Sequence, residues 1–435
     1  MTTFRGTRLA LLSGLFSAAA LAVGQAHAQL VAFPTIPPNP DTVPDNNADW
    51  FRPFVGYQWT YDNNLFRLPS ASVLDNPNLH LGDLVPNGLP TQDHVNTGSV
   101  GFDGHWLAGR QSVDYDFEFD DNRFVRNEYL NNNSGNVRAV WNWSVASDLF
   151  GQLGGVYTRS LAGFSDSFFF QRDLVDHEDY FANGRYQIGP QWAVYGSIDD
   201  TYTKNQNPLQ QYNDLNLETG KVGLEFATSQ QNTVGWEYRF THGHYPLQLA
   251  PAPNTVPFDP DFDENSSVLL FKYALSDKTV LNGDGGYLRR SYPDNPQIGA
   301  FSGITWHLKG LWQATDKTSL SVTASRDLQA YVYAQSDYFV QTGVAVSPVW
   351  VQSDKLTWVF VATWYKQDYL GASFSGVVFG APRHDTISAQ QGGLQYTAMR
   401  SLVFNFTYRH ELRNSNLAQF GYNDDVANAG VKFKF

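Results

Sequence analysis

The chain contains no cysteine, only two methionines and, after its first 30 residues, no long apolar run. Without cysteine it can form neither a disulfide nor a thiolate metal site, and it has no cysteine nucleophile. No window of about 18 consecutive apolar residues follows the N-terminal region, so the sequence predicts no membrane-spanning helix. Charged residues are also scarce, at 16%. Stability must therefore come from hydrogen bonding and packing.

The one long apolar stretch lies at the N-terminus. Arg5 and Arg8 precede an apolar segment from Leu9 to Val23, and an Ala-His-Ala sequence follows at 26–28. This pattern is typical of a secretory signal peptide, and no cysteine follows the cleavage site to carry a lipid anchor. We therefore expect residues 1–28 to be a signal peptide that is removed on export.

The rest of the sequence divides into two parts. Residues 29–52 are proline-rich and lack a strand pattern, which predicts a flexible periplasmic tether or a docking segment for a periplasmic partner. Residues 53–435 carry the strand pattern described below. Removing the two arginines of the signal peptide leaves 27 of the 29 basic residues against 42 acidic ones, a net charge of −15. That balance argues against nucleic-acid binding, which requires basic patches.

Aromatic residues are abundant, with 31 Phe, 23 Tyr and 12 Trp. In many segments apolar residues alternate with polar ones, which indicates strands with one apolar face. An aromatic-rich apolar face is typical of a sheet that contacts lipid, whereas a soluble sandwich fills its core with aliphatic residues. The clearest example has the apolar residues Leu402, Phe404, Phe406 and Tyr408 between Val403, Asn405, Thr407 and Arg409.

Eight short turns rich in Ser, Thr, Asp and Gly separate pairs of these strands, and longer loops rich in Pro, Asn and Asp alternate with the turns. The pattern predicts an all-β fold, a transmembrane antiparallel up-and-down β-barrel of about 18 strands with both termini in the periplasm. We expect the longer loops to face outside the cell. The strands are predicted near 54–62, 98–108, 111–121, 135–146, 149–160, 179–188, 191–201, 214–227, 231–242, 264–275, 278–290, 299–314, 317–328, 335–351, 354–366, 384–398, 401–413 and 420–435.

The C-terminal strand ends in the sequence NAGVKFKF. Its alternation points Val431, Phe433 and Phe435 to lipid, and it points Lys432 and Lys434 inward or to the periplasmic rim. We expect this strand to pair with the first strand, because closure removes the sheet edges that hydrocarbon does not tolerate. The terminal aromatic residue also resembles the signal that the barrel-assembly machinery reads.

The opposite, polar face of the strands should line the lumen. Its charged residues are of both signs, which fits a water-filled path for a polar or weakly charged solute better than a strongly ion-selective pore. The inward aromatic residues Phe54, Tyr195, Phe339 and Tyr365 could stack on sugar rings or could simply fill the lumen. The lumen-lining candidates are Asp114, Asp116, Glu118, Arg138, Arg185, Asp199, Lys221, Glu225, Glu237, Arg239, Asp284, Lys309, Arg409 and Glu411.

The sequence offers little for catalysis. His242 and His244 form the closest histidine pair, but a third ligand at a suitable spacing is not evident. We interpret residues 177–179 (His-Glu-Asp) as a solvated loop end. The acidic run 259–265 could bind Ca²⁺ or the counter-ions of lipopolysaccharide, or could be a solubilising loop. We therefore expect no enzyme activity, no cofactor and no metal site.

The segment from Arg52 to Pro69 resembles the opening strand of the "Putative β-barrel porin 2" superfamily. It is most similar to EpsL-type outer-membrane proteins of exopolysaccharide biosynthesis, which begin with a Y-D-D-N-L-F-R-L-like stretch. Here that stretch is Tyr61, Asp62, Asn63, Asn64, Leu65, Phe66, Arg67 and Leu68, with Asn63 in place of the second Asp. The resemblance implies an integral protein of the outer membrane, within its lipid and lipopolysaccharide, in a system that synthesises and secretes polysaccharide and includes a periplasmic export protein.

Three functions compete on these grounds. The first, which the resemblance favours, is passage of exopolysaccharide across the outer membrane, or support of that passage. The second is a general or substrate-selective diffusion porin for small hydrophilic solutes. The third is an outer-membrane enzyme or a surface protein that anchors polymer, and the lack of a catalytic constellation argues against the enzyme.

Overall fold

Alternating aromatic and polar residues produce 18 antiparallel strands that close into one barrel in the computed structural model. The structure describes residues 50–77, 82, 85–166, 169–228, 232–247, 259–295, 299–333, 336–370 and 382–435. Each strand pairs with its neighbours in sequence, and the last strand pairs with the first. The predicted all-β, up-and-down barrel of about 18 strands is confirmed.

The strands average more than ten residues, enough to cross a bilayer at a tilt. Besides them, the described residues form one short helix, α1 (Ala71–Leu74), and single 3₁₀ turns at Glu128–Leu130, Gln211–Asn213 and Ala418–Phe420. The strands are β1 (Arg52–Asp62), β2 (Asp93–Ala108), β3 (Gln111–Phe124), β4 (Asn132–Ser144), β5 (Leu149–Leu161), β6 (Leu174–Ile188), β7 (Trp192–Asn205), β8 (Leu215–Ala227), β9 (Thr233–His244), β10 (Phe262–Ser276), β11 (Thr279–Ser291), β12 (Phe301–Thr315), β13 (Thr318–Tyr333), β14 (Ser336–Ser353), β15 (Leu356–Leu370), β16 (His384–Met399), β17 (Leu402–Ser415) and β18 (Tyr422–Lys434).

The two ends of the barrel differ. At one end, which we call the turn end, short turns join the strands and both the start of β1 and the end of β18 are found. Gly109 and Gly189 have a φ of 64° in two of these turns, a left-handed conformation that glycine adopts without steric cost. At the other end, the loop end, the connections are mostly longer.

Several strands extend further towards the loop end than the sequence pattern predicts. The largest extensions are five residues, at the start of β2, at the start of β6 and at the end of β13. The prediction that 177–179 form a solvated loop end is wrong, because these residues lie within β6. The polar residues 177–179 are typical of a loop, but cross-strand hydrogen bonds keep them in the sheet beyond the apolar band.

The outer face of the barrel is apolar and aromatic. Large apolar side chains remain exposed along it on nearly every strand, and a contiguous apolar surface of this kind requires a lipid surround. Examples are Val55, Tyr57, Val100, Trp141, Trp192, Trp236, Phe240, Leu269, Tyr287, Ile304, Trp312, Phe360, Trp364, Phe404 and Phe406.

On the inner face, aromatic rings lie over glycines of neighbouring strands. A Cβ added to Gly223 would overlap the ring of Tyr195, and one added to Gly343 would overlap the ring of Tyr365. Because glycine has no side chain, the ring can lie against the barrel wall, where it covers backbone that would otherwise be exposed to the lumen. Phe54 lies over Gly101 in the same way.

The seam between β1 and β18 has a regular register, with Val55 opposite Phe433 and Phe54 opposite Lys434. The predicted pairing of the last strand with the first is confirmed. Phe433 and Phe435 are exposed on the outside, and their rings contact edge to face with centroids 5.0 Å apart. The backbone N–H of Phe435 donates to the Pro53 carbonyl oxygen at 3.0 Å, which fixes the C-terminal residue at the turn end.

Candidate functional site

The inner face holds all fourteen charged residues that the alternation assigned to it. Each has the opposite parity to the most exposed apolar residue of its own strand. Glu237 of β9, for example, lies between the exposed Trp236 and Tyr238 and is itself 4% exposed.

Most of these charges are paired across or along the strands. Arg185 donates to Glu225 at 2.6 Å, and Lys221 lies 3.3 Å from Asp199. Lys432, on β18, lies 3.6 Å from Glu118 and its ammonium group is 3.4 Å from the centre of the Phe54 ring. Because these charges are paired, the polar lining has no large electrostatic potential of one sign, as expected for a path that does not select solutes strongly by charge.

Other pairs connect into a network whose members lie on five strands, β7, β9, β11, β12 and β13. Asp284 lies 3.7 Å from Arg239 and 3.2 Å from His307, and His307 also contacts Asp327 at 3.2 Å. Arg239 pairs in turn with Glu237, which accepts a hydrogen bond from the Tyr195 hydroxyl at 2.9 Å. One side of the lumen is thus a hydrogen-bonded polar wall.

The stretch Tyr61–Leu68 forms the end of β1 and the first turn of the β1–β2 loop. Asp62 accepts from the Asn64 backbone N–H at 2.9 Å. The Asn64 side-chain carbonyl oxygen accepts from the Leu68 N–H at 3.0 Å, and its amide donates to the Leu68 carbonyl oxygen at 2.9 Å. These bonds turn the chain sharply, as Asp and Asn do in short turns.

Asn63 fastens the same turn to β18. Its amide donates to the Asp425 carboxylate at 2.9 Å and its carbonyl oxygen accepts from the Asp425 N–H at 2.8 Å. An aspartate at position 63 would present a second carboxylate to Asp425 instead. Asn63, which replaces the second aspartate of the Y-D-D-N pattern, therefore suits its partner Asp425.

Arg67 fixes the turn from inside the barrel. Its Nη1 donates to Asp62 at 3.0 Å and to Asp424 at 2.9 Å, and Asp424 is fully buried. Burial lowers the pKa of Arg67, but the neighbouring carboxylates outweigh that effect and raise it above its usual value. Arg67 also has a φ of 52°, an unfavourable conformation for a residue with a side chain, which this set of bonds holds in place.

The turn directs the β1–β2 loop inward, where it packs against a second loop. Phe66 is 1% exposed and its ring lies edge to face with Phe164 and Phe170 of the β5–β6 loop, at 4.8 and 5.5 Å. Leu130, from the β3–β4 loop, is fully buried in the same cluster. We call these residues the loop core.

The β5–β6 loop crosses to a distant part of the wall. Asp166 at its tip accepts from Arg413 of β17 at 2.7 Å and from Arg383, in the β15–β16 loop, at 2.9 Å. Both arginines also bond Asp385, which is 1% exposed. We call this group the latch, and it includes Tyr369, whose hydroxyl oxygen accepts a hydrogen bond from Arg413 at 2.9 Å.

The latch holds Asp166 in its charged form. Burial raises the pKa of Asp166, but the Arg413 and Arg383 guanidinium groups outweigh that effect and lower the pKa to about 2. Arg413 and Asp385 face the lumen by parity, so the loop that carries Asp166 lies inside the barrel wall at the loop end. The two inserted loops therefore narrow this end of the lumen.

A second buried cluster covers another part of the loop end. Leu215 and Leu217 of β8 and Phe262 of β10 pack with residues of the β13–β14 hairpin, including Leu328 and Val340. The β13–β14 hairpin thus bends towards β8 and β10, which narrows the opening of the lumen at the loop end further. Residues 248–258, the proline-rich part of the β9–β10 loop, lie outside the described residues.

Sequence reasoning missed the latch. Asp166 was part of a predicted loop, Arg383 lay at the edge of another, and Arg413 and Asp385 were strand-end residues without a distinguishing pattern. Their contacts join positions more than 200 residues apart. No local sequence signal marks them.

The histidine and acidic motifs have structural partners. His242 bonds Asp263 at 2.8 Å and His244 bonds Asp261 at 2.5 Å, while Glu264 pairs with the buried Arg290. In the part of the chain that the structure describes, no three His, Cys, Asp or Glu side chains come together as a metal site would require. Nor does any helix among these residues have the length and apolar character needed to cross a membrane.

Comparisons with known proteins agree with the porin-like architecture. The model of the family described as "Putative beta-barrel porin 2" matches residues 275–435. This description mentions no exopolysaccharide, and the matched residues do not include the stretch Tyr61–Leu68. No curated protein matches the sequence.

Solved structures of outer-membrane proteins resemble the chain at low identity. The outer membrane protein opdK from Pseudomonas aeruginosa is 10% identical with a TM-score of 0.46, over 88% of this chain and 99% of that one. OccK9 (OpdG) from Pseudomonas aeruginosa is 9% identical with a TM-score of 0.47, over 88% and 98%. The siderophore receptor PirA from Acinetobacter baumannii is 7% identical with a TM-score of 0.45, over 89% and 81%.

The closed sheet, its apolar exterior and the porin-model match over residues 275–435 lead to one conclusion. The chain is a porin-like β-barrel that is integral to the outer membrane.

Proposed function

We propose that this barrel is a non-enzymatic channel for hydrophilic solutes whose loop end is narrowed by the two inserted loops. The observation that carries this proposal is the latch, in which Asp166 on an inserted loop pairs with Arg413 on the wall. A barrel of 16 to 18 strands is wide enough to leave an aqueous channel, so inserted loops rather than the wall set its selectivity.

The lining supports saccharides as the solute class. Paired charges and amides offer hydrogen-bond donors and acceptors, and rings such as Tyr365 lie against the wall as flat apolar surfaces. Sugars combine hydroxyl groups with apolar ring faces, so they match such a lining. Weak, distributed binding is what a conduit needs, because a tight site would stop translocation.

Passage of exopolysaccharide is the second candidate, favoured by the resemblance at Tyr61–Leu68. In the structure this stretch anchors an inserted loop to β18, so the resemblance concerns the part of the chain that narrows the lumen. A polymer would require the inserted loops to move, whereas a small sugar would pass beside them. A periplasmic export protein bound at the turn end, or to residues 29–52, is the partner that this function implies.

Reconstitution separates the two candidates. The purified barrel in liposomes should admit mono- and disaccharides, measured by swelling, and should show steady single-channel conductance in planar bilayers. A sealed barrel that admits neither sugar nor ions would contradict the porin. In the native host, loss of secreted polymer on deletion of the gene would support the second candidate, and normal polymer levels would overturn it.

We further propose that the turn end and both termini lie in the periplasm, and that the mature chain begins at Gln29. Short turns on the periplasmic side are the rule for barrels of this class. Because the chain has no cysteine, single substitutions give unique labels: Leu209→Cys, in the β7–β8 loop at the loop end, should react with an impermeant maleimide on intact cells, and Ser147→Cys at the turn end should not. The reverse labelling would overturn the orientation. Mass spectrometry of the purified barrel tests the cleavage site.

A further inference from the structure

A cavity of about 350 Å³ opens on the outside of the barrel at the loop end, between β3, β4 and the β5–β6 loop. Arg123, Arg159 and Arg172 line it together with three successive asparagines, Asn131, Asn132 and Asn133. The three arginines belong neither to the lumen nor to the latch, whereas Asn132 has the inward parity of β4. Arg123 and Arg159 have the parity of the outward face, which they share with Phe119 and Leu153.

The cavity lies directly above the apolar band. Arg123 follows the exposed Phe119 by four residues, about 13 Å along an extended strand. Val137 of β4 is likewise exposed four residues from Asn133. A group bound in this cavity would therefore lie at headgroup level while the attached acyl chains contact the aromatic wall below.

The arginines carry more charge than their partners neutralise. Arg123 pairs with Asp121 at 2.7 Å and Arg159 pairs with Asp176 at 2.6 Å. Both use their Nε and Nη2 atoms for this, which leaves the Nη1 groups for another acceptor. In the described part of the chain, Arg172 pairs with no carboxylate, and its Nη1 donates to the Asn131 carbonyl oxygen at 2.9 Å.

We propose that this cavity binds a phosphate group of lipopolysaccharide in the outer leaflet, with Arg172 as its principal charged contact. Guanidinium groups bind phosphate oxygens through paired, charge-assisted hydrogen bonds, and the asparagine amides add neutral donors. Three arginines against two aspartates leave a net positive charge, which suits an anionic headgroup and disfavours a zwitterionic one. The site is separate from the channel and would act as a fixed point of attachment between the barrel and its surrounding lipid.

The test is a binding measurement on the full barrel, delipidated in neutral detergent. Wild-type protein should bind lipopolysaccharide and should bind enzymatically dephosphorylated lipopolysaccharide at least tenfold more weakly. Arg172→Gln should weaken binding of intact lipopolysaccharide by about tenfold, the effect of losing one hydrogen bond between charged groups. Arg289→Gln is the matched control, because Arg289 is an exposed arginine on the outward face of β11 at the same end.

Each arm bears on the proposal. Equal binding of the dephosphorylated lipid overturns it, and so does binding of inorganic phosphate as tight as that of the lipid, which would indicate a site for the free ion. Equal losses in Arg172→Gln and Arg289→Gln would indicate general surface charge and also overturn it. Because the first arm uses wild-type protein, it does not depend on folding of a variant, and none of the arms depends on whether the lumen conducts.

Discussion

At the scale of the residue, Arg67 carries a positive charge into a site where Asp424 is fully buried and Asp62 is nearly so. Isolated buried charges are strongly destabilising, so the three groups depend on one another. The stretch that resembles exopolysaccharide proteins therefore has a structural role here, which is to turn the chain into the lumen and hold it there.

We predict that Arg67→Gln destabilises the loop end, because it removes the guanidinium group that pairs with two buried carboxylates. Breaking a buried ion pair costs about 3–5 kcal/mol. The change should appear as faster proteolysis of the β1–β2 loop and earlier unfolding in denaturant. Arg110→Gln, at an exposed turn residue, is the control and should leave both measurements unchanged; similar behaviour of the two variants would contradict this role of Arg67.

Asp166 offers a test of the latch at neutral pH. Asp166→Asn removes the charge that holds the inserted loop to Arg413 and Arg383, so we expect a larger or noisier single-channel conductance. Glu128→Gln, which neutralises an exposed carboxylate at the same end, is the matched control. Identical conductance in wild type and both variants would show that the loop does not limit flow.

The latch should also respond to acid. The folded pKa of Asp166 is lowered to about 2, below the value of about 4 for a free aspartate, so its contribution to stability is complete above about pH 4. That contribution is lost as the pH falls through 4 towards 2. We expect wild-type conductance to rise over this interval and that of Asp166→Asn to change less. A wild-type profile that is flat from pH 5 to pH 2 would be inconsistent with the latch.

At the scale of the element, the inserted loops have a core of their own. Phe66 is buried among Phe164, Phe170 and Leu130, although all four come from connections between strands. Loops normally lie on the surface because buried backbone needs partners. Here the backbone bonds of these loops, such as the Leu65 N–H to the Thr91 carbonyl oxygen at 2.7 Å, meet that need.

Phe66→Ala should loosen this core without unfolding the barrel. Removing a buried phenylalanine costs about 3–5 kcal/mol. Faster hydrogen exchange confined to the β1–β2 and β5–β6 loops is the expected result. Phe404→Ala, on the lipid-facing side of β17, controls for the loss of a ring, and uniform exchange across loops and strands would contradict a separate loop core.

The pairing of inward rings with glycines predicts a rescue. Gly223→Ala should destabilise the barrel by about 1–3 kcal/mol, because its Cβ overlaps the ring of Tyr195. Tyr195→Leu in the same chain should recover part of that loss. Gly220→Ala is the matched control on the same strand, since a Cβ there meets nothing within 4 Å. Tyr195→Leu also loses the hydrogen bond to Glu237, so it is measured alone as well. In denaturant unfolding in detergent, a cost of Tyr195→Leu that is the same with and without Gly223→Ala would refute the pairing.

At the scale of the whole molecule, closure depends on the β1–β18 seam and on the C-terminal residue that ends it. Deleting Phe435 should reduce the amount of assembled barrel, because it removes both the hydrogen bond to Pro53 and the aromatic terminus that resembles an assembly signal. Heat-modifiable mobility on gels measures assembly. Phe150→Ala, another exposed aromatic near the turn end, is the control, and unchanged levels without Phe435 would overturn the prediction.

The sequence by itself determined the wall. Period-two alternation and the spacing of turns depend only on neighbours along the chain, so they specified the strand count, the faces of residues such as Glu237 and Phe404, and the closing strand. The start of β6 was predicted five residues too late, because cross-strand bonding continues beyond the apolar band.

Only the tertiary structure decided what fills the loop end. Asp166 meets Arg413, and Phe66 meets Phe164, after closure brings distant strands together, and nothing in their local sequence distinguishes them from ordinary loop and strand-end residues. The alternation could place Asp62 on the inner face, but only the fold shows that Arg67 turns back to meet it. A repeating local pattern encodes a barrel, whereas the contacts that narrow it are single, long-range and chemically specific.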